Sequence, residues 1–232
     1  MIAEVEDSDM EAMLKADLAE TGSKAEDYMK KNRRTLIICL VAAIVVIGGI
    51  ILYRNAYKMP HRAKAEEQIF RAEQLFERDS FETALKGNGA DVKGFLDIIS
   101  DYGNTPAGNV AHAYAGVCYY QLGDYQSAIK QLDKFSSKDM MLQPSVIGLI
   151  GDCYVEGDQY DKAVGYFEDA AKKADNMLLS PIYLIKAGLA YEALGKTDKA
   201  KEAYTKVKES YPTSPSAANA EKYLQTLTLQ GK

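Results

Sequence analysis

Histidine and cysteine are scarce in this sequence of 232 residues, which has two histidines and three cysteines. His61 and His112 each stand without a second histidine or a suitably spaced cysteine pair, so a metal site is not expected. No G-x-S-x-G, H-E-x-x-H or phosphate-cradling glycine loop occurs either. The sequence therefore predicts no catalytic, metal-binding or cofactor-binding residues and indicates a protein that is not an enzyme.

A broad basic region and a sustained alternation of apolar and polar residues are also lacking. The net charge is −5, and the part beyond residue 53 carries 24 acidic and 22 basic side chains. A surface that binds phosphates would need an excess of positive charge, so neither a nucleic acid nor a small-molecule substrate is expected. The missing alternation argues against strands, and we expect the part beyond residue 53 to be all-α.

What the sequence does contain is one pattern repeated three times. A small residue and a glycine are followed by a tyrosine three residues after the glycine and by an alanine twelve after it. The three glycines are 35 and 37 residues apart. The pattern comprises Gly116, Tyr119 and Ala128; Gly151, Tyr154 and Ala163; Gly188, Tyr191 and Ala200; and Pro212, where the last helix must stop. A bulky residue follows each alanine by four: Leu132, Phe167 and Tyr204.

This spacing has a physical explanation. Residues three or four apart share a helical face, so small residues on one helix let a second helix approach closely while large residues fill the space around them. A period of about 34 residues with these marks resembles the tetratricopeptide repeat, a helix-turn-helix unit. The resemblance implies an α-solenoid of about four helix pairs, with repeats at 107–142, 143–179 and 180–214. Residues 54–106 are predicted to form a juxtamembrane helix and an irregular first repeat, and residues 215–232 a capping helix.

Within the irregular part, the apolar spacing from Lys58 to Lys86 predicts one helix. Where this helix continues from the anchor, Pro60 is expected to cause a bend or a break. Gly87-Asn88-Gly89 would interrupt this helix. A second apolar stripe begins at Phe95 and ends before Tyr102. We expect these two segments to form an atypical end unit, because end units of solenoids meet solvent or a partner on one side.

A long uncharged run precedes the repeats. Leu36 to Leu52 contains seventeen residues without a charge, and residues 35–53 would span about 28 Å as a helix, enough to cross a bilayer. A buried helix of a soluble protein is the alternative, but the amphipathic repeats offer no core for an apolar surface on all sides. We predict a single-pass transmembrane anchor at residues 35–53.

Residues 1–34 are polar and mostly acidic, which predicts a largely disordered tail. Met10, Met13, Leu14 and Leu18 are spaced for one face of a short helix, either transient or docking on a partner. The dense basic cluster Lys30 to Arg34 favours a cytoplasmic amino terminus by the positive-inside rule. In a bacterium, the anchor would then lie in the inner membrane and the repeats in the periplasm.

Two of the cysteines occupy equivalent repeat positions. Cys118 and Cys153 each follow a repeat glycine by two residues, where the third repeat has Ala190. Adjacent helices pack about 9 Å apart, whereas a disulfide needs Cα atoms within about 7 Å. Small buried thiols are therefore the favoured interpretation over a redox pair.

Stacked repeats of this kind form a superhelix whose inner face is lined by the first helix of each pair. Helical phase places nine candidate peptide-groove residues there: Val117, Tyr120, Gln121, Asp152, Val155, Glu156, Ile185, Leu189 and Glu192. Tetratricopeptide domains that clamp a terminal carboxylate use lysine and asparagine on this face, whereas these positions are mainly apolar or acidic. An apolar helix or extended hydrophobic segment is the better predicted partner, with plain solvent exposure as the alternative.

The acidic tail, the single predicted anchor and the repeats together resemble the YfgM family. The members of this family are ancillary proteins of the bacterial Sec translocon. The resemblance implies a periplasmic scaffold that works with translocon subunits and a membrane-anchored periplasmic chaperone on emerging secretory proteins. The longer acidic tail and the insertion around Gly87–Gly94 depart from that family. An adaptor for envelope assembly or division is the second hypothesis, and an enzyme or redox protein the third.

Overall fold

The computed structural model describes residues 28–89 and 91–230, and every regular element within these ranges is helical. The predicted helix at Met10 to Leu18 and most of the predicted acidic tail lie outside the described residues. The chain divides into two compact units, one ending at Pro60 and the other beginning at His61.

The first unit contains the uncharged run. Helix α1 spans Arg33–Tyr53 and is followed by a π-helical turn at Arg54–Lys58. None of the residues of α1 is buried. The run lies in a helix that is long and apolar enough to cross a membrane, judged by length and composition.

The remaining helices follow in chain order. They are α2 (Met59–Phe76), α3 (Phe81–Lys86), α4 (Phe95–Tyr102), α5 (Pro106–Gln121), α6 (Tyr125–Leu132), α7 (Leu142–Glu156), α8 (Tyr160–Ala174), α9 (Leu179–Ala193), α10 (Thr197–Ser210) and α11 (Ala217–Gln230). We call α5, α7 and α9 the first helices and α6, α8 and α10 the second helices of the three regular repeats. Helix α10 ends two residues before Pro212, as the sequence predicted.

The prediction of one helix from Lys58 to Lys86 is wrong. Helix α2 ends at Phe76, and Asp79 adopts a left-handed conformation with φ of 55°. The Ser80 amide donates to the Leu75 carbonyl at 3.0 Å, which closes a tight turn. The rings of Phe76 and Phe81 meet at 5.4 Å across this turn, so α2 and α3 are two separate helices.

In each regular repeat, the predicted glycine lies against the bulky residue of its own second helix. A Cβ atom on Gly116 would meet Leu132, one on Gly151 would meet Phe167, and one on Gly188 would meet Tyr204, each within 2.6 Å. The matching alanines of the second helices, Ala128, Ala163 and Ala200, are fully buried. The small residues therefore set a close helix–helix distance, which confirms the predicted packing.

Helix α11 covers the open side of the last repeat. Ala220 and Leu227 are buried in the same hydrophobic cluster as Val207 of α10. The ring of Tyr223 stacks on that of Tyr204 with 5.1 Å between centroids. The prediction of a carboxy-terminal capping helix is thereby confirmed.

The two loops that lead into α7 and α9 are built alike. Asp139 Oδ1 accepts the amides of Met141 and Leu142 at 2.7 and 2.8 Å. Asn176, 37 residues later, accepts the amides of Leu178 and Leu179 at 3.0 and 2.8 Å through its own Oδ1. Each side chain satisfies amides at the start of a first helix that have no partner within the helix.

Candidate functional site

All nine predicted groove residues keep accessible surface on the first helices. Gln121, Glu156 and Leu189 are exposed, and the other six are half-buried. None of the nine is fully buried, so a partner can contact each of them. Together with Tyr114, Leu149 and Lys186, they are called the first-helix face below.

Lys186 joins the second and third repeats across this face. Its Nζ atom lies 2.7 Å from Oδ2 and 2.8 Å from Oδ1 of Asp152, 34 residues earlier. Burial raises the pKa of the Asp152 carboxyl above its usual value, while the pairing with Lys186 acts in the opposite direction. The ion pair therefore fixes neighbouring first helices and removes a free charge from the face.

Sequence reasoning missed Lys186 together with a whole row of the face. Tyr114, Leu149 and Lys186 each stand two residues before a repeat glycine, and all three are half-buried. The spacings of 35 and 37 that relate the glycines would have identified this row. The sequence could not predict that Lys186 pairs with Asp152. Lys186 precedes its repeat glycine by two residues and Asp152 follows its own by one, so the two do not occupy equivalent repeat positions.

The two remaining acidic groups of the face are held by tyrosines of second helices. The Tyr125 hydroxyl of α6 donates to Glu156 Oε2 at 3.3 Å, and the Tyr204 hydroxyl of α10 donates to Glu192. Burial first, and then the Glu192 carboxylate, raise the pKa of Tyr204. Both glutamates are thus positioned near the carboxyl ends of their helices.

Apolar side chains lie along the same helices. The exposed fractions are 36% for Val110, 37% for Ile182 and 42% for Leu189. Val117, Leu149, Val155 and Ile185 are half-buried between them. Because hydrophobic burial scales with apolar area removed from water, this row can contribute to partner binding.

Cys118 and Cys153 are free and buried, and burial raises the pKa of each thiol to about 12. Such thiols stay protonated near neutral pH and are poor nucleophiles. Small buried thiols at equivalent positions are what the sequence predicted.

A second surface feature lies between α8 and α10. This groove of about 840 Å³ has Leu184 and Tyr191 in its lining, with lysines and acids of the two second helices. The Tyr191 hydroxyl donates to Glu168 Oε1 at 2.7 Å, and Lys199 Nζ lies 5.5 Å from the Tyr191 ring centroid. These contacts tie α8 and α10 to the ring of Tyr191 on α9.

The next question is whether the described residues contain a metal site or a histidine placed for chemistry. Within these residues, no group of three or more His, Cys, Asp or Glu side chains could hold a metal ion. His112 Nδ1 lies 2.8 Å from Gln131 Oε1 and joins α5 to α6, a packing role.

The repeats match a known family. A model of the tetratricopeptide repeat matches residues 114–139, 149–176 and 183–214. A TPR repeat-containing protein of Methanocaldococcus jannaschii is 28% identical over 119 residues, which are 51% of this chain and 20% of that protein. The chain thus spans a fifth of the length of this relative.

Solved structures share the fold. The crystal structure of MamA is 20% identical, has a TM-score of 0.51, and is matched over 68% of this chain and 88% of its own. The nearly identical TPR-like repeats of a Podosopora anserina protein described as a kinesin light chain are 15% identical, with a TM-score of 0.55 over 73% and 87% of the two chains. At these identities the likeness concerns the fold alone.

Proposed function

Since this chain contains tetratricopeptide repeats, which bind protein partners, we propose that it is a non-enzymatic, membrane-anchored scaffold that captures proteins on the first-helix face. The observation that carries the proposal is the row of apolar side chains on α5, α7 and α9 that keep accessible surface, although some of them also pack partly against the core. Helix α1 is the proposed anchor, because its apolar side chains are all outside any core.

We propose further that the protein is an ancillary, translocon-associated factor with a chaperone-like role for secreted proteins. Support comes from the resemblance of the whole arrangement to the YfgM family. The basic cluster Lys30 to Arg34, at the amino end of α1, supports a cytoplasmic amino terminus and periplasmic repeats at the bacterial inner membrane. An adaptor for envelope assembly or division, built from the same repeats, is the alternative.

The experiment that separates these functions is crosslinking in cells, followed by isolation of the full-length protein in mild detergent and identification of what comes with it. We expect translocon subunits together with a membrane-anchored periplasmic chaperone. Envelope-assembly or division proteins without translocon subunits would make the adaptor the correct function and the translocon role wrong.

Partner capture on the first-helix face is tested by the double variant Val117→Ser, Leu189→Ser. Each substitution removes an apolar side chain that a partner would bury, worth about 1.5 kcal/mol or more, so capture should fall by about tenfold or more. Leu229→Ser is the matched control, because Leu229 is a 73% exposed leucine on α11, outside this face.

Circular dichroism and urea unfolding should show both proteins folded to the same extent. If the double variant captures the crosslinked partners as well as the parent and the control do, the assignment of binding to this face is wrong.

A further inference from the structure

Charge is divided unevenly between the first and second helices of the regular repeats. Helix α5 carries no charged residue, and α7 and α9 together carry three acids and one lysine. The second helices carry eight lysines and six acids. The first helices are therefore acidic, and the second helices are basic.

The one lysine of the first helices does not offset their acidity toward a partner. Lys186 is already bound to both oxygens of Asp152, and its Nζ atom lies 5.6 Å from the Phe167 ring centroid and 6.0 Å from that of Tyr183. A partner's carboxylate would have to break this pair to use the ammonium group. What remains available on the three helices is negative.

Glu156 and Glu192 supply that negative charge near the carboxyl ends of α7 and α9. Helix carboxyl ends carry partial negative charge from unsatisfied carbonyls, which adds to the carboxylates. The hydroxyls of Tyr125 and Tyr204 hold these side chains in place. Burial first, and then Asp152 and Glu156, raise the pKa of Tyr120, as expected in a negative environment.

The acidic end continues into the irregular repeat. Burial raises the pKa of Glu73 on α2, the nearby Tyr114 hydroxyl of α5 lowers it, and Glu77 raises it again. The Phe76 and Tyr114 rings meet at 5.1 Å, so the carboxyl end of α2 contacts α5. Phe70, three residues before Glu73 and so on the same face of α2, is 59% exposed.

We propose that the first-helix face selects a cationic amphipathic segment. Its apolar side chains would lie against the row formed by Phe70, Val117 and Leu189, and its lysines or arginines would meet Glu77, Glu156 and Glu192. This inference rests on the proposed function and specifies the partner's chemistry. A second copy of this chain fits poorly, because two acidic faces would repel.

The test uses the full-length chain in zwitterionic nanodiscs, which do not attract a basic peptide by themselves. Three fluorescent peptides share one helical pattern of leucines and differ only at the polar positions, which hold lysine, glutamine or glutamate. Anisotropy titrations at low and high salt give the three affinities. We expect the lysine peptide to bind about tenfold more tightly than the glutamate peptide, with the difference shrinking at high salt.

Single variants locate the effect. Glu156→Gln and Glu77→Gln should each weaken the lysine peptide by about threefold and leave the glutamine peptide unchanged. Glu202→Gln is the matched control, an exposed carboxylate on the second helix α10, and should change neither peptide. Circular dichroism confirms that all three proteins remain folded.

The results separate a failure of charge selection from a failure of protein capture on the first-helix face. If the three peptides bind equally and Leu189→Ser weakens all of them, the face binds partners but does not select charge, and the inference is wrong. Binding of none of the peptides would count against the proposed function as well. A loss on Glu202→Gln equal to that on Glu156→Gln would place the charge effect elsewhere and also overturn the inference.

Discussion

At the scale of single residues, three glycines set the distance between the helices of each regular pair. A Cβ atom built on Gly188 would lie 2.2 Å from Cε1 of Tyr204, whose side chain is fully buried. Real Cβ atoms do not approach so closely, so an added methyl group must displace a ring that has no free space. The glycines of the pattern are thus packing residues.

Gly188→Ala should therefore destabilise the repeats. We expect a loss of about 1–3 kcal/mol in the free energy of unfolding, measured in urea, because overpacking forces the ring or the helix to shift. Gly165→Ala is the matched control, since Gly165 lies in α8 with no atom within 4 Å of an added Cβ. It should gain about 0.5–1 kcal/mol from helix propensity. Equal effects of the two substitutions would refute this account.

At the scale of elements, Asp139 and Asn176 begin α7 and α9 by the same means, although only one of them titrates. The bonds from the Leu142 and Met141 amides lower the pKa of Asp139. The folded state therefore favours the carboxylate over the acid. This stabilisation is present above the ordinary pKa of aspartate and is lost as the pH falls through the lowered value.

Two substitutions distinguish the contribution of the capping hydrogen bonds to stability from that of the carboxylate charge. Asn176→Ala removes a neutral cap and should cost about 1 kcal/mol at neutral and acidic pH alike. Asp139→Asn keeps a capping oxygen, so neutral stability should change little while the fall in stability below about pH 4 becomes shallower. Urea unfolding across this pH range measures both. If the stability of Asp139→Asn falls below pH 4 as steeply as that of the parent, the charge of the cap plays no part.

Element boundaries also show how far sequence reasoning reaches. The turns inside the regular repeats were predictable, because Gly123, Gly157 and Gly195 mark them. The turn between α2 and α3 was not, because it contains neither glycine nor proline and depends on Asp79 in a left-handed conformation. The rings of Phe76 and Phe81 meet across this turn. In one continuous helix, these two residues would point to different sides.

At the scale of the whole molecule, the boundary at Pro60 and His61 separates two kinds of surface. No residue of α1 is buried, while the unit from His61 onward has clusters of fully buried side chains. If α1 is the proposed anchor, it will need lipid or detergent, whereas repeats with their own core will not.

Deleting residues 1–60 should therefore leave a soluble, folded protein. We expect residues 61–232 to remain monomeric without detergent and to show the helical spectrum of the repeats, while the full-length chain requires detergent. Size-exclusion chromatography and circular dichroism of both proteins provide the measurement. A full-length chain that stays monomeric in plain buffer would contradict the anchor.

The sequence by itself determined the repeat, its period, the close-packing glycines, the capping helix and the apolar run of α1. These follow from local spacing and composition, which act over a few residues at a time. Helical phase, which repeats from unit to unit, also predicts the nine groove residues, and their role in binding stays a prediction.

Only the tertiary structure decided how the charges of that face are used. Lys186 meets Asp152, Tyr125 meets Glu156 and Glu73 meets Tyr114 across different helix pairs. Such meetings depend on how one pair is rotated against the next, which no local pattern encodes. The stacking of the repeats thus pairs Asp152 with a lysine, positions Glu156, and brings together acidic residues that are scattered along the chain.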